Sequence, residues 1–198
     1  NLLGFGKEIT VTHRTNLDRT SDRFLYRDPQ LTGSRFMLTA SLAKLSDGDE
    51  EFFTLDRPYY SLEDEWAFSI RAGAFSRGDP LFEDGAEVGR LRHRGQWGDL
   101  ELGRAIRRRA TSAVRFHVAY RIREERVGSD GRDFGIVEVG IASVEHRFTR
   151  LTHVNRFERR EDFNLGGRSH ATVGLSTQAF GGADGRVFFV AAGHSRGI

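Results

Sequence analysis

The stretch Val114-Arg115-Phe116-His117-Val118-Ala119-Tyr120-Arg121-Ile122 separates into two sets when read at every second residue. Val114, Phe116, Val118, Tyr120 and Ile122 are all apolar or aromatic, while Arg115, His117, Ala119 and Arg121, continued by Arg123, are mostly cationic. A strand sends successive side chains to opposite faces, so this segment is a strand with one apolar and one basic face. In a soluble sandwich the polar face would meet bulk water. In a membrane barrel it would meet a wet lumen and the apolar face would meet lipid. The alternation by itself fits both.

The same pattern recurs on either side. Phe36, Leu38, Ala40 and Leu42 alternate with Arg35, Met37, Thr39 and Ser41, and Trp66, Phe68, Ile70, Ala72 and Ala74 alternate with Ala67, Ser69, Arg71 and Gly73. Val137, Val139 and Ile141 share a face, as do Ala171, Val173 and Leu175, with a weaker version at Ile9 and Val11. About ten strands are predicted, roughly at 7–15, 22–28, 34–45, 51–58, 65–76, 90–106, 113–126, 134–148, 168–180 and 186–194. Segments of about ten residues suit tilted strands crossing a hydrocarbon layer. Pro29, Pro58 and Pro80, the only prolines, are assigned to turns, because proline cannot donate to a ladder.

The connections sort into two classes. The first, third, fifth, seventh and ninth are rich in Gly and Asp, including a long one at 77–87; the others carry Asp28-Pro29-Gln30-Leu31-Thr32-Gly33, Arg57-Pro58-Tyr59-Tyr60-Ser61-Leu62 and 107–112. In an up-and-down meander every second connection lies on the same rim, so two chemically different rims are expected, as in a membrane barrel. Phe24-Leu25-Tyr26-Arg27-Asp28-Pro29 and Phe53-Thr54-Leu55-Asp56-Arg57-Pro58 form a weak internal repeat one hairpin apart.

Composition narrows the classes further. The chain has 198 residues, of which 38% are hydrophobic and 29% charged, and no apolar run approaches the roughly 20 residues of a membrane helix. Barrel strands dilute their own hydropathy by alternation, so low hydropathy does not exclude them. There is no cysteine, which removes disulfides, thiolate metal sites and cysteine nucleophiles. A net charge of +2 with mixed signs argues against a nucleic-acid partner, which would more often meet a segregated basic face.

Four motifs in order resemble the outer-membrane protein assembly superfamily, the BamA and TamA group of bacterial surface antigens. Asn1-Leu2-Leu3-Gly4-Phe5-Gly6-Lys7 resembles the segment leading into that family's first barrel strand, and Asp28-Pro29 with Leu31 and Gly33 its second-strand turn. Arg57-Pro58-Tyr59-Tyr60-Ser61-Leu62 resembles its R-P-[FY]-[FY]-S-L turn, and Glu161-Asp162-Phe163-Asn164-Leu165-Gly166 its E-D-F-N-L-G segment. The resemblance implies an all-β, antiparallel up-and-down transmembrane barrel in the bacterial outer membrane. Residues 1–198 would be the N-terminal part of a sixteen-stranded barrel, without the preceding transport-associated domains or the last strands. The family's V-R-G-[FY] loop motif has no counterpart; Ser195-Arg196-Gly197-Ile198 lacks its context. A smaller closed ten-stranded barrel is the other possibility.

By resemblance the protein inserts or translocates other proteins, with the segment from Lys7 to Thr15 at a lateral gate. Its partners would be outer-membrane lipid, client outer-membrane or secreted proteins and accessory periplasmic proteins. The alternatives are a passive, porin-like barrel and a soluble β-sandwich that binds a ligand. Phe36, Leu38, Leu42, Phe68, Ile70, Val114, Phe116, Val118, Tyr120, Val137, Val139, Ile141, Val173 and Leu175 are expected to face lipid. Arg35, Arg71, Arg115, His117, Arg121 and Arg123 are expected to face a lumen, either as a cationic lining or balanced by nearby Asp and Glu. Aromatics near strand ends (Tyr26, Tyr59, Tyr60, Trp66, Phe75, Trp97, Phe134 and Phe180) are assigned to interfacial girdles.

No enzyme, cofactor or metal is expected. Ser41-Leu42-Ala43-Lys44 matches S-x-x-K but lies in a strand rather than at a helix start. Glu145, His146 and His153 fit no standard metal spacing, and Gly4-Phe5-Gly6 lacks the helix a phosphate loop needs.

Overall fold

The computed structural model describes residues 6–17, 19–151, 161–182 and 185–196. Its strands are β1 (Glu8–Thr15), β2 (Thr20–Asp28), β3 (Met37–Leu45), β4 (Gly48–Arg57), β5 (Trp66–Glu83), β6 (Ala86–Arg108), β7 (Ser112–Val127), β8 (Asp130–Glu145), β9 (Phe148–Leu151), β10 (Glu161–Asn164), β11 (Gly167–Ser176) and β12 (Val187–Arg196). Ten of them form one antiparallel sheet in chain order, β1 through β8 and then β11 and β12, while β9 and β10 pair separately in the connection between β8 and β11. The expected all-β, up-and-down order is therefore present. The sheet is open: β1 and β12 are its edges and do not pair with each other.

Register determines what shares a face. From β5 to β12 one row runs Phe68, Leu102, Val118, Val139, Val173, Val190, with no polar member, and on β4 it ends at Arg57. The next runs Leu38, Leu55, Ile70, Leu100, Tyr120, Val137, Leu175, Phe188. A third, Ile9, Tyr26, Ala40, Phe53, Ala72, Gly98, Ile122, Gly135, carries no charge from β1 to β8. The apolar belt migrates along the strands from one edge to the other. At β1 to β3 it includes Val11, Phe24 and Leu42, whose row turns polar at Glu51, Gln96 and Glu124; at β11 and β12 it reaches Ala171 and Ala192. A level band crossing tilted strands must shift in this way.

The belt is the outer face. Leu42, Val173, Phe188 and Val190 are 58%, 48%, 73% and 78% exposed, whereas Ala43, Ala119, Ile136 and Glu138 on the opposite face are all under 10%. A single-layer sheet buries one face only by curling around it. A cavity of about 710 Å³ on that face draws lining residues from β4, β5, β6, β7, β8, β11 and β12. The molecule thus has its polar face inside and its apolar face outside, the reverse of a water-soluble sheet packed on a core.

Several sequence expectations are corrected. The connection expected at 77–87 is strand: β5 and β6 continue to a two-residue turn at Asp84 (φ 49) and Gly85 (φ 82), the left-handed pair an Asp-Gly hairpin requires. Pro80 therefore lies in β5, not in a turn; β4 ends opposite Ser76, so Pro80 has a neighbour strand on one side only, where proline is tolerated. Strand β11 stops at Ser176, and Phe180 belongs to a short 3-10 turn, Gln178–Phe180, that folds over the outer face; the Tyr120 hydroxyl donates to the Phe180 carbonyl at 3.0 Å. β9 and β10 were not expected as strands.

Candidate functional site

The polar inner face is built from two adjacent rows. Thr39, Thr54, Arg71, Asp99, Arg121 and Ile136 form one, and Met37, Asp56, Ser69, Glu101, Ala119 and Glu138 the other. Arg121 donates to Glu138 and lies 3.9 Å from Glu101 and 4.0 Å from Asp99; Arg71 lies 3.7 Å from Asp99. Ser69 donates to Asp56. Period-two geometry explains the convergence, since residues two apart on neighbouring strands stack on one face at long side-chain reach. The result is a charge ladder of both signs in place of a uniformly cationic lining.

The loop between β4 and β5 bends into this face. Its anchor is Asp64, 7% exposed, which accepts backbone N–H bonds from Tyr60 (2.7 Å) and Ser61 (2.8 Å) and pairs with Arg35 at 2.7 Å. Tyr59 is carried beneath Arg115, whose guanidinium carbon is 4.0 Å from the ring centre, and Arg115 donates to the Ser61 carbonyl at 3.0 Å. Gly103 makes the approach possible: a Cβ there would stand 2.7 Å from the Tyr59 hydroxyl. That hydroxyl is buried without a hydrogen-bond partner, and burial pushes the phenol above its ordinary value against the smaller pull of Arg115.

Burial pushes the Asp64 carboxyl up, but the Ser61 and Tyr60 amides together with Arg35 and Arg57 outweigh it and hold the group below its usual range. A depressed carboxylate stabilises the folded loop above its unfolded pKa, and that stability is lost as pH falls through the lower folded value. Amide protection at Tyr60 and Ser61, corrected for intrinsic exchange, should persist at about pH 5 and fall away in acid below about pH 3.9. Hydrogen-exchange mass spectrometry checks this, and protection that persists to the acid limit would mean that other contacts hold the loop.

Of the residues expected on the lumen side, Arg71, Arg115, His117 and Arg121 line the inner face and three of them border the cavity. Arg123 is on the same face between Trp97 and Phe134, and is exposed. Arg35 is not on the sheet; it sits in the β2–β3 connection at the rim, tied to Asp64. The residues expected to face lipid share the outer face by register; Phe36, just ahead of β3, reaches the same side, 6.1 Å from Trp66 and 6.2 Å from Phe68. Trp97, Phe75 and Phe134 were assigned to an interfacial girdle, but period two places them on the inner face.

The turn motifs are structural. Asp28, 1% exposed, accepts from the Gln30 N–H at 3.1 Å and pairs with Lys7 at 3.3 Å, and Gly33 takes φ 75, a conformation that suits glycine. Asn164 accepts from the N–H groups of Arg147 and Gly166, each at 2.9 Å. Asp162 and Phe163 belong to β10, and their side chains lie outside the described residues, as do residues 1–5 and His153. Ser41 and Lys44 occupy opposite faces of β3, so they form no catalytic pair.

Sequence reading named the cations and missed their partners Asp99, Glu101, Glu138 and Asp64. Glu138 carried a signal, a lone acid between Val137 and Val139 that alternation places on the inner face.

The fold and this face together define a single antiparallel sheet curled around a charged interior. No family model, curated protein or solved structure matches the chain.

Proposed function

We propose that this chain forms wall of a transmembrane β-barrel in the bacterial outer membrane, of the type that inserts or translocates other proteins. The observation that carries the membrane part is the reversed polarity: three rows on the exposed face that are uncharged over most of the sheet, with ion pairs on the buried one. On β7 the apolar set from Val114 to Ile122 spans about 27 Å along the strand, or about 20 Å across the layer once tilted, most of the roughly 25 Å band of such barrels. Left in water, a patch this continuous would drive association. A soluble sandwich would need a second layer over the belt, and the only other sheet among the described residues is the short β9–β10 pair.

The assembly role is supported by the motif resemblance, and β1 as a free edge supplies the unpaired backbone groups that strand addition to a client requires. Lipid and client proteins are the partners in this reading. A passive barrel shares the wall and lacks the client.

The two tryptophans lie on opposite faces, Trp66 outside and Trp97 inside, and provide the test. In vesicles of brominated phosphatidylcholine, W97F, which retains Trp66, should be quenched strongly and W66F weakly. Equal quenching of the two, or none, would overturn the membrane reading.

A further inference from the structure

At the margin of the belt, β6 breaks step with β7. Their pairing runs residue for residue to Ala105 opposite Arg115, then skips Ile106, so that Arg107 faces Val114 and Arg108 faces Ala113. Without the extra residue, Arg107 would share the inner face with Ala105 and Arg115. The bulge turns it outward, onto the face that already carries Arg104, the neighbour of Trp66 and Phe116. Both arginines are exposed.

Arg104 and Arg107 are among the cations of the sheet that lack a counter-charge. Neither makes an ion pair or side-chain hydrogen bond among the described residues. Three acids of that rim are engaged elsewhere: Glu65 with Arg108 at 2.9 Å, Glu145 with Arg147 at 3.3 Å, and Asp64 with Arg35. The row neighbours of Arg104 and Arg107 are Trp66, Phe116, Ile141, Val114 and Ser143, none of them acidic. Arg57 adds a third guanidinium, 3.8 Å above the Trp66 ring.

We infer that Arg104 and Arg107 bind the headgroup phosphate of an anionic phospholipid at the edge of the apolar belt. This rests on the belt being the lipid-facing surface. The guanidinium fork matches phosphate oxygens in bidentate fashion, and arginine is weakly hydrated enough to work at an interface. A long side chain at the belt margin reaches the headgroup layer while its stem stays against apolar surface. Two unpaired positive charges favour a net-negative lipid over a zwitterionic one, whose own ammonium cancels its phosphate. Trp66 beside them is the aromatic body expected at the same depth.

Trp66 also reports the binding. In the W97F background, brominated phosphatidylglycerol diluted into phosphatidylcholine vesicles should quench Trp66 more than brominated phosphatidylcholine at the same mole fraction. In Arg104→Gln/Arg107→Gln the two lipids should quench equally, while Arg104→Lys/Arg107→Lys should retain most of the preference. The single variant Arg107→Gln, whose exposed side chain makes no ion pair or hydrogen bond among the described residues, should lose part of it and stands in if the double variant does not fold. Equal quenching by both lipids in the parent, or a preference that survives the glutamine variants, overturns the inference while leaving the embedded belt intact. Absence of quenching by either lipid removes the belt reading and this inference with it.

Discussion

Val118→Arg is expected to cost the bilayer-embedded protein about 2–4 kcal/mol, whereas Val114→Arg, four residues nearer the rim, should cost about 0–1 kcal/mol. Val118 is the middle of the apolar set on β7 and stands in a row with Leu102, Val139, Val173 and Val190. An arginine there has no acid in its row and must carry its charge to the nearest headgroups, so the cost depends on depth. The gradient matters more than either value, because a packing defect would not follow distance from the rim. Phe116→Arg should fall between the two. Urea unfolding of the protein refolded in phosphatidylcholine vesicles gives the three values. A flat profile would mean that this face meets water or protein instead of hydrocarbon.

Glu138→Ala should destabilise by about 3 kcal/mol, the low end of what breaking a buried ion pair costs. Glu138 is 7% exposed and receives the Arg121 guanidinium directly. Its removal leaves Arg121 with Glu101 at 3.9 Å and Asp99 at 4.0 Å, two partners that are farther away but on the same face, and these limit the loss. Replacing both partners, as Arg121→Met with Glu138→Leu, should recover most of the stability, because the desolvation cost of the pair disappears with it. Equilibrium unfolding of the single and double variants gives the coupling. A cost below about 1 kcal/mol for Glu138→Ala would place enough water in the interior to solvate Arg121, as at an exposed pair.

The two experiments probe opposite faces of the same strand pair, which makes them informative together. Val139 and Glu138 are consecutive, one directed out and the other in. An outer position that rejects charge and an inner one that requires it would establish the reversed polarity energetically.

Much of this was legible in the chain. Alternation in Val114 to Ile122 and its relatives gave strand identity and the composition of both faces, because side-chain direction in a strand follows position alone. The ten main strands followed from it, and the two classes of connection followed from parity. The long β5–β6 hairpin was misjudged because Gly78, Pro80 and Gly85 were weighed as loop formers, while the edge position that tolerates Pro80 depends on where the β4 pairing stops. The ends of the aromatic distribution were misjudged in the same way. Position near a strand end was used for Trp97 and Phe134 where parity decided.

The sequence by itself determined that the protein is an up-and-down antiparallel sheet with one apolar and one charged face, since that information is local and repeats every two residues. Only the tertiary structure decided which face is concave, that the inner cations meet Asp99, Glu101 and Glu138, that the loop around Asp64 folds inward, and that a bulge turns Arg107 outward. Those outcomes depend on register and curvature, which are set by contacts between strands far apart in the chain and leave no signal in a residue's own neighbourhood.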